Sequence, residues 1–322
     1  MMDDAGRFRA DLVRALGDEP GGVLGLAVSG GPDSMAMLAL GAEALDGRVA
    51  VATVNHGLRP EAVKEAALVA DACARLSVPH ATLTPDAAIA GASIQARARE
   101  VRYALLARWA AAAGVGAVAT AHHADDQAET FLMRAARGSG LAGLAGVRAR
   151  ATISGMTIVR PLLDWRRAEL RAIVRRRELP FVDDPANADD RFERTRVRHL
   201  LDANEWLGAA NLARSASYLA EADGDLRAVV DWLWAARAAV EGSDVRVDAT
   251  DLPREVRRRL VRRAVTVARA AADLTEPTFT EASNVEALLD GLEQGRRVTQ
   301  AGVLASVRDG RWRLRPAPSR KS

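Results

Sequence analysis

The chain has 322 residues, of which 49% are hydrophobic and 4% aromatic, so it can bury a full core and is predicted to form two domains. Its formal net charge is +3 and its pI is about 9.6. Nearly all the positive charge is arginine, because lysine occurs only at Lys64 and Lys321. Arginine binds phosphate through a bidentate fork, so this composition fits a polyanionic partner, although many soluble proteins share it.

The single cysteine, Cys73, excludes an internal disulfide, a cysteine-rich zinc site and a cysteine-ligated iron–sulfur cluster within one chain. The N-terminus carries acidic residues and no apolar core, which argues against a signal peptide. The longest weakly polar run, residues 110–121, is shorter than the ~20 residues that a membrane span needs. We therefore expect a cytoplasmic protein that does not contact a membrane.

In the first 200 residues, short β-branched runs alternate with longer Ala- and Leu-rich segments of helical period. This pattern is typical of an α/β fold with a parallel sheet and flanking helices, and the uniformly apolar strands indicate burial on both faces. The predicted strands are residues 23–28, 49–54, 80–83, 117–120 and 157–160, and the predicted helices are residues 34–45, 59–76 and 93–113.

After about residue 200 the pattern changes. Residues 205–240 are nearly continuously helical in pattern, with a predicted break around residues 223–225, and a short strand follows at 245–247. A very basic helix, LPREVRRRLVRRAV, precedes a tail in which Asp309-Gly310 is a good hairpin turn. We expect one domain at residues 1–212 and, at 213–322, a smaller, mostly helical domain whose basic helix suits a polyanionic partner and which ends in a β-hairpin.

The first predicted strand runs directly into Ser29-Gly30-Gly31-Pro32-Asp33-Ser34 and then into a helix. Glycines at such a turn let the backbone approach an anion, and the N–H groups of the helix N-terminus point at it. A plain tight turn with an Asp or Ser cap is the alternative. The loop is neither Walker A, which needs a lysine, nor GxGxxG. Because Asp33 would repel phosphates unless a divalent cation lay between them, we expect Mg²⁺ there.

A second polar cluster, His122-His123-Ala124-Asp125-Asp126-Gln127-Ala128-Glu129-Thr130, follows the strand at 117–120. On a helix, His122 and Asp126 are four residues apart, and Asp126 and Glu129 are three apart, so these side chains share one face. That face would lie at the carboxyl end of the sheet, where open α/β folds bind ligands. A polar first turn that complements the helix dipole explains one acid well but explains three acids and two histidines poorly. Carboxylate-rich geometry favours Mg²⁺ over zinc.

The motif SGGxDS is the signature of the ATP-pyrophosphatase (PP-loop) family, whose members cleave ATP to AMP and pyrophosphate. Together with further segments in the same order and spacing, it makes residues 20–200 closely similar to tRNA(Ile)-lysidine synthetases. The basic helix and the terminal hairpin resemble the small C-terminal domain of the shorter members. The further segments are residues 54–59, 98–103, 134–141, 160–163, 184–187 and 194–198.

This resemblance implies an ATP-dependent ligase that adenylates the C2 carbonyl oxygen of the wobble cytidine in the CAU anticodon of tRNA(Ile). The ε-amine of free L-lysine then displaces AMP and forms lysidine. The family also suggests a homodimer. The segment Arg-Asn-x-Ile-Arg of the family has Thr195 in place of Asn here, which puts any contact of that Asn in doubt.

By motif match, residues 29–34 would bind ATP, and Asp33 would help to hold Mg²⁺. Asp126 and Glu129 would bind lysine as an acidic clamp. The implied catalytic residues are Asp33, Arg102, Asp126 and Glu129; the ATP-binding residues are Ser29, Gly30, Gly31, Pro32, Asp33 and Ser34; and Arg99, Arg102, Arg194 and Arg198 would meet phosphate, the activated base or tRNA.

Three other functions are alternatives: two enzyme classes, and a non-catalytic nucleotide-binding module with the same sheet. A thiolase that forms 2-thiocytidine relies on several cysteines to deliver sulfur, and this chain has one. Small-molecule amide ligases such as NAD or GMP synthetases need no basic helical C-terminal domain. A non-catalytic nucleotide-binding module would not need the dense acid cluster, and pyrophosphate release would separate it from an enzyme.

Overall fold

The computed structural model describes residues 3–57, 61–88, 94–183, 191 and 193–318. The chain divides into two compact units, residues 1–220 and 221–322. The expected boundary, between residues 212 and 213, falls inside a single helix, Ala209–Arg237. None of the helices in the described ranges is both long and apolar enough to cross a membrane.

The first unit is built on a six-stranded sheet with strand order β3-β2-β1-β4-β6-β5. All neighbouring pairs are parallel except the edge pair β5–β6. This confirms the predicted α/β class, and the predicted strands are all present within one residue at either end. The strands are β1 (Leu24–Ala27), β2 (Val49–Val54), β3 (His80–Leu83), β4 (Ala117–Thr120), β5 (Arg150–Ile153) and β6 (Met156–Val159).

Apolar cores cover both faces of this sheet. Leu26 and Val51 belong to the core that also contains α2 and α7 residues, whereas Val118 and Ile158 pack with α4 on the other face. Alternate residues of a strand point to opposite faces, so uniformly apolar strands are required here. The helices are α1 (Asp4–Leu16), α2 (Pro32–Ala44), α3 (Glu61–Arg75), α4 (Ile94–Ala112), α5 (Ala124–Ala136), α6 (Leu141–Leu144), α7 (Arg167–Arg176), α8 (Glu193–Asp202) and α9 (Ala209–Arg237).

The strand order places a crossover point between β1 and β4. From β1 the chain proceeds outward to β2 and β3, and β4 then pairs with the opposite side of β1. In open α/β sheets, ligands bind outside the carboxyl ends of the strands at such a point. The motif 29–34 follows β1 and the cluster 122–130 follows β4, so both sequence motifs meet at this edge.

The second unit contains a five-stranded antiparallel sheet with strand order β7-β8-β11-β10-β9. The predicted hairpin turn is present, with φ of 51° at Asp309 and 75° at Gly310. The expected hairpin is part of this full sheet, of which the sequence predicted only the strand at 245–247 and the hairpin itself. The elements are β7 (Ala238–Glu241), β8 (Asp244–Val247), α10 (Arg254–Ala270), α11 (Glu286–Glu293), β9 (Val298–Gln300), β10 (Val303–Arg308) and β11 (Arg311–Pro316).

The predicted helix break at residues 223–225 is wrong, since α9 continues through it. Asp223 is only 1% exposed, and its carboxylate accepts a hydrogen bond from Arg259 at 2.7 Å and lies 3.2 Å from Nε of Arg227. This buried ion pair offsets the low helix propensity of the neighbouring Gly224, which is roughly 1 kcal/mol below alanine. Asp223 and Arg259 are 36 positions apart in sequence, so the local sequence pattern could not predict that they pair.

Candidate active site

Two adjoining cavities lie at the carboxyl ends of β1, β2 and β4. The larger has a volume of about 430 Å³ and the smaller about 290 Å³, and they share Ala27, Ser29, Glu65 and Arg102 in their walls. The smaller is bounded mainly by the apolar ends of β1 and β2. The larger is polar and contains Ser29, Gly31, Pro32, Asp33, Ser34, Thr120, His122, Asp126, Arg167, Arg171, Val182, Asp183, Arg194 and Arg198.

The loop after β1 is held in shape by its own hydrogen bonds. The hydroxyl of Ser34 accepts a bond from the backbone N–H of Ser29 at 3.1 Å and donates to the carbonyl of Gly31 at 2.9 Å. The backbone N–H of Val182 donates to the carbonyl of Gly30 at 3.0 Å. Helix α2 starts at Pro32, and its N-cap, Gly31, provides no side-chain cap. The first-turn N–H groups of α2 therefore remain available to a ligand at the cavity wall.

The two glycines of this loop are needed for different reasons. Gly30 has φ +88°, a left-handed conformation that residues with a side chain rarely adopt. Gly31 has an ordinary φ of −74°, and a Cβ there would come no closer than 3.8 Å to Ser29 Oγ and 3.9 Å to the Val182 carbonyl. The fold therefore tolerates a side chain at position 31. Because Gly31 has no side chain, a ligand has room to contact the backbone there.

His123 joins the loop to helix α5. Its Nδ1 accepts the backbone N–H of Asp126 at 3.3 Å, so the proton of the neutral ring is on Nε2, which lies 3.4 Å from the carboxylate of Asp33. Burial alone would lower the pKa of His123, but the hydrogen bond to Asp33 and the charges of Asp126 and Asp125 outweigh burial and raise it. A second proton on Nδ1 would break the hydrogen bond from the Asp126 N–H, which caps helix α5. This capping bond therefore opposes the rise in the pKa of His123.

The first turn of α5 divides its acids between two tasks. Asp125 accepts hydrogen bonds from the guanidinium of Arg166 at 3.1 and 3.0 Å and from the backbone N–H of Arg167 at 2.8 Å. Asp125 therefore ties α5 to the start of α7 and is absent from the cavity walls. Asp126 accepts the backbone N–H of His123 at 3.1 Å and lines the larger cavity. Burial opposes ionisation of Asp126, but the charges of His123 and Arg194 and the hydrogen bond from the His123 backbone outweigh burial, so the pKa of Asp126 is lowered.

Glu129 lies behind Asp126 and is fully buried. One carboxylate oxygen accepts Nε–H of Arg194 at 2.7 Å, and the other accepts Nε–H of Arg198 at 2.8 Å. Arg194 also donates to Asp126 at 2.9 Å. Only one acid of the expected clamp is therefore exposed to the cavity. Asp126 faces the cavity, whereas Glu129 holds the two arginines that do.

The two arginines expected on α4 differ in position. Arg102 is partly buried and lies in the walls of both cavities. Arg99 is exposed, stacks over Tyr103 at 5.0 Å, and does not line either cavity. Burial lowers the pKa of His122, which lines the larger cavity and hydrogen-bonds Thr120 Oγ1 at 3.0 Å, so its ring is neutral.

Asp33 is the residue best suited to a cation. Its buried Oδ1 has no hydrogen-bond partner among the described residues, and no cluster of three or more His, Cys, Asp or Glu residues with metal-site geometry occurs in those ranges. A lone carboxylate oxygen fits Mg²⁺, which typically keeps several waters and is held by one or two carboxylates together with substrate phosphates. The residues present therefore fit a Mg²⁺ that arrives with a nucleotide.

Several cavity residues were not predicted from the sequence. Arg167 and Arg171 are four apart on α7, which places both on one helical face, but no motif marks that helix as part of the site. Glu65 and Asp183 also lack a local signal. Residues 184–187, 58 and 59, which belong to two of the matched segments, lie outside the described residues. Thr195 is buried and is not part of the cavity walls.

Strand, glycine loop, helix and the polar cavity beyond them define a PP-loop ATP-binding domain, and the family model described as ATP_bind_3, PP-loop domain, matches residues 6–204. The chain is 44% identical over 322 residues to the tRNA(Ile)-lysidine synthase of Novosphingobium aromaticivorans, covering 99% of this chain and 95% of that one. It is 42% identical over 308 residues to the enzyme of the same name from Zymomonas mobilis, covering 93% and 90%. The chain belongs to the tRNA(Ile)-lysidine synthase family.

A solved structure with a similar fold is the U34-tRNA thiolase NcsA from Methanococcus maripaludis, described with its [4Fe-4S] cluster. The TM-score is 0.55, over 68% of this chain and 80% of that one, at 17% sequence identity. This likeness concerns the fold alone. The single cysteine here, Cys73, is completely buried, and burial raises its pKa to about 11.

Proposed function

We propose that the chain catalyses ATP-dependent formation of lysidine at the wobble cytidine of the CAU anticodon of tRNA(Ile). The C2 oxygen of the cytidine attacks the α-phosphorus of ATP and pyrophosphate leaves. The ε-amine of free lysine then attacks C2, the bond between C2 and oxygen breaks, and AMP leaves. The observation that supports this most directly is the meeting of an open phosphate loop and a partly exposed carboxylate, Asp126, in one cavity.

The two cavities suit the parts of ATP. The free N–H groups at the start of α2 and the open space beside Gly31 suit the polyphosphate, because a helix N-terminus attracts anions. The smaller cavity, between the apolar ends of β1 and β2, is suited to the adenosine. Ser29 is shared by both walls and would lie between the two parts of the nucleotide.

Mg²⁺ would be held by Asp33 together with the phosphates, and it would supply positive charge to the departing pyrophosphate. His123 Nε2 lies 3.4 Å from Oδ2 of Asp33, and Oδ1, which has no hydrogen-bond partner among the described residues, would hold the cation. The arginines of the cavity would stabilise the remaining phosphate charge. Arg102 lies where the two cavities meet and is suited to the α-phosphate.

Lysine presents a particular problem, because its ε-amine has a pKa near 10.4 and is an ammonium at neutral pH. The site must attract this cation and then accept a proton. Asp126 is ionised and partly exposed, and each of its oxygens accepts one hydrogen bond, so it retains acceptor capacity for an ammonium. We assign Asp126 to that task. We assign Glu129 to the positioning of Arg194 and Arg198, which revises the expectation that it touches lysine.

We also place this reaction in the cytoplasm, where tRNA, ATP and free lysine are all present. As the family resemblance implies, we propose that the enzyme acts as a homodimer. Sedimentation equilibrium at micromolar concentration tests the homodimer, and a mass of one chain across that range would contradict it.

The decisive experiment incubates the chain with ATP, Mg²⁺, labelled lysine and transcripts of tRNA(Ile) that carry either a CAU or a UAU anticodon. We expect label only in the CAU transcript, with AMP and pyrophosphate formed in equal amounts. Asp33→Asn should lose pyrophosphate release while it remains folded, whereas Cys73→Ser should remain active because no thiolate is needed. Release of ADP and phosphate, or full activity in Asp33→Asn, would overturn the assignment.

A further inference from the structure

Arginine side chains cluster on one face of the C-terminal sheet. In β11, Trp312 and Leu314 are buried in the core, whereas Arg311 and Arg315 are exposed. Successive residues of a strand point to opposite faces, so the arginines of β11 lie on the face away from the core. We call this the arginine face. Its members are Arg246, Arg308, Arg311, Arg313 and Arg315, and all but Arg315 line a depression of about 530 Å³.

The sheet register brings these like charges together. Arg308 lies directly opposite Arg311 across the β10–β11 ladder, and Arg246 lies opposite Arg313 across the β8–β11 ladder. Like charges at directly opposed positions destabilise a sheet. Asp244 compensates the second pair, since Arg313 donates to both of its carboxylate oxygens and Arg246 lies 3.6 Å away. Among the described residues, no acid lies as close to Arg308 or Arg311.

Among the four arginines that line the depression, Arg308 and Arg311 are the most exposed. Their side chains are 76% and 69% exposed, and the carboxylates that pair with them, on Asp309 and Asp248, are 3.8 and 4.0 Å away. Exposed contacts at that distance are weak and screened by salt. These two guanidinium groups therefore keep most of their donors for an external anion.

The basic helix α10, which carries six arginines in residues 254–263, is different. Arg254 pairs with three acids of α11, and Arg258 pairs with Glu286 and Glu255. Arg259 and Arg263 pair with acids of α9. These arginines hold the helices of the unit together, so composition overstates what α10 can offer to a polyanion.

We infer that the second unit binds the phosphate backbone of the substrate tRNA through the arginine face rather than through α10. This deepens the proposed function and rests on it, because the polyanion is identified as the tRNA of that reaction. The argument is charge complementarity: the opposed, solvent-exposed guanidinium groups of Arg308 and Arg311 are only weakly paired, and guanidinium matches phosphate in a bidentate fork.

The test measures binding of the unmodified CAU transcript of tRNA(Ile) by fluorescence anisotropy across a series of salt concentrations. For Arg308→Gln/Arg311→Gln we expect a several-fold higher Kd and a log–log salt slope shallower by about two, one for each lost phosphate contact. Arg308→Lys/Arg311→Lys should recover most of the slope because it keeps the charge. The control is Arg9→Gln/Arg108→Gln, which removes the same charge from helix positions in the first unit where each guanidinium already pairs with an acid, at 3.1 and 3.0 Å. This variant should leave the slope unchanged.

Equal slopes for the wild type and Arg308→Gln/Arg311→Gln would overturn the inference, as would an equal loss in the control. Because Kd is measured without turnover, it is independent of catalysis. A wild-type chain that binds the transcript but never incorporates lysine overturns the proposed function, and the slopes still decide whether the arginine face contacts RNA. The melting temperature of each variant checks that the exposed substitutions leave the fold intact.

Discussion

Arg194 donates a hydrogen bond through Nε to Glu129 at 2.7 Å while its NH2 group donates to Asp126 at 2.9 Å, so one guanidinium spans both acids of the α5 cluster. Arg198 takes the other oxygen of Glu129. Removing one partner of a buried pair leaves the other charge uncompensated, which is strongly destabilising for that local arrangement. The two acids, three residues apart, should therefore respond differently to substitution.

Asp126→Asn should raise the KM for lysine on the order of 10- to 100-fold, because an ammonium loses a charged acceptor worth about 1.5–3 kcal/mol. The release of pyrophosphate with tRNA and without lysine should remain. Glu129→Gln should instead lower that release as well, because both arginines lose their anchor. Steady-state kinetics with each substrate varied in turn distinguishes the two. A change confined to the lysine KM in Glu129→Gln would restore the acidic clamp.

Gly31→Ala and Gly30→Ala form a matched pair in the phosphate loop. We expect Gly31→Ala to keep the melting temperature of the wild type, because its Cβ would meet nothing closer than 3.8 Å in the protein. ATP binding should weaken at least tenfold, because the same Cβ would occupy the space proposed for the phosphates. Gly30→Ala should cost about 1 kcal/mol of stability or more, since alanine is strained at φ +88°. Calorimetric titration with ATP and thermal melts measure both. Unimpaired ATP binding by Gly31→Ala would place the phosphates elsewhere.

On helix α10, Arg259→Met should destabilise the second unit by about 2 kcal/mol, because Asp223 is buried and would lose a 2.7 Å charged hydrogen bond. Arg263→Met is the control, since its partner Asp231 is 69% exposed and such pairs are worth less than about 1 kcal/mol. Urea unfolding followed by tryptophan fluorescence gives the two values. Equal effects of the two substitutions would mean that the Asp223 pair carries no special weight.

The stability contributed by His122 should depend on pH. Its folded-state pKa is lowered by burial, so below about pH 6.5 the unfolded chain binds a proton that the folded chain does not. The contribution is complete above pH 6.5 and is lost as the pH falls toward the folded-state pKa, by up to about 1.4 kcal/mol per pH unit. Comparing the unfolding free energies of wild type and His122→Gln between pH 7.5 and pH 5 tests this. A difference between the two that does not vary with pH would contradict it.

The strands of the first unit and the glycine loop after β1 could be predicted from sequence because both depend on local information. A buried parallel strand must be apolar throughout, and the loop motif follows β1 directly. Helix α1 was not predicted, although Phe8 and Leu12, both fully buried, recur at helical spacing. Arginine and aspartate interrupt its short apolar stripe, so the segment looks like an ordinary polar N-terminus until its packing partners are known.

The roles of charged residues could not be predicted in the same way. Glu129 and Asp125 stand in the same motif as Asp126, but each is paired by an arginine more than 40 positions away in sequence. The arginines of α10 suggest nucleic-acid binding by composition, and their acids lie on α9 and α11. The sequence shows which residues carry a charge, but only the tertiary structure shows whether a partner of opposite charge already neutralises it.

The capping of the helices around the larger cavity has a consequence for selectivity toward anions. Helix α5 begins with a capping box between His123 and Asp126, and α7 begins with Glu169 on the N–H of Arg166 and Asp125 on the N–H of Arg167. Both positive helix ends are thus already occupied by carboxylates. Among these three helices only α2 starts without a side-chain cap. In the proposed binding mode, the triphosphate would therefore have one of these three helix termini left to bind, and that terminus would set its direction along the cleft.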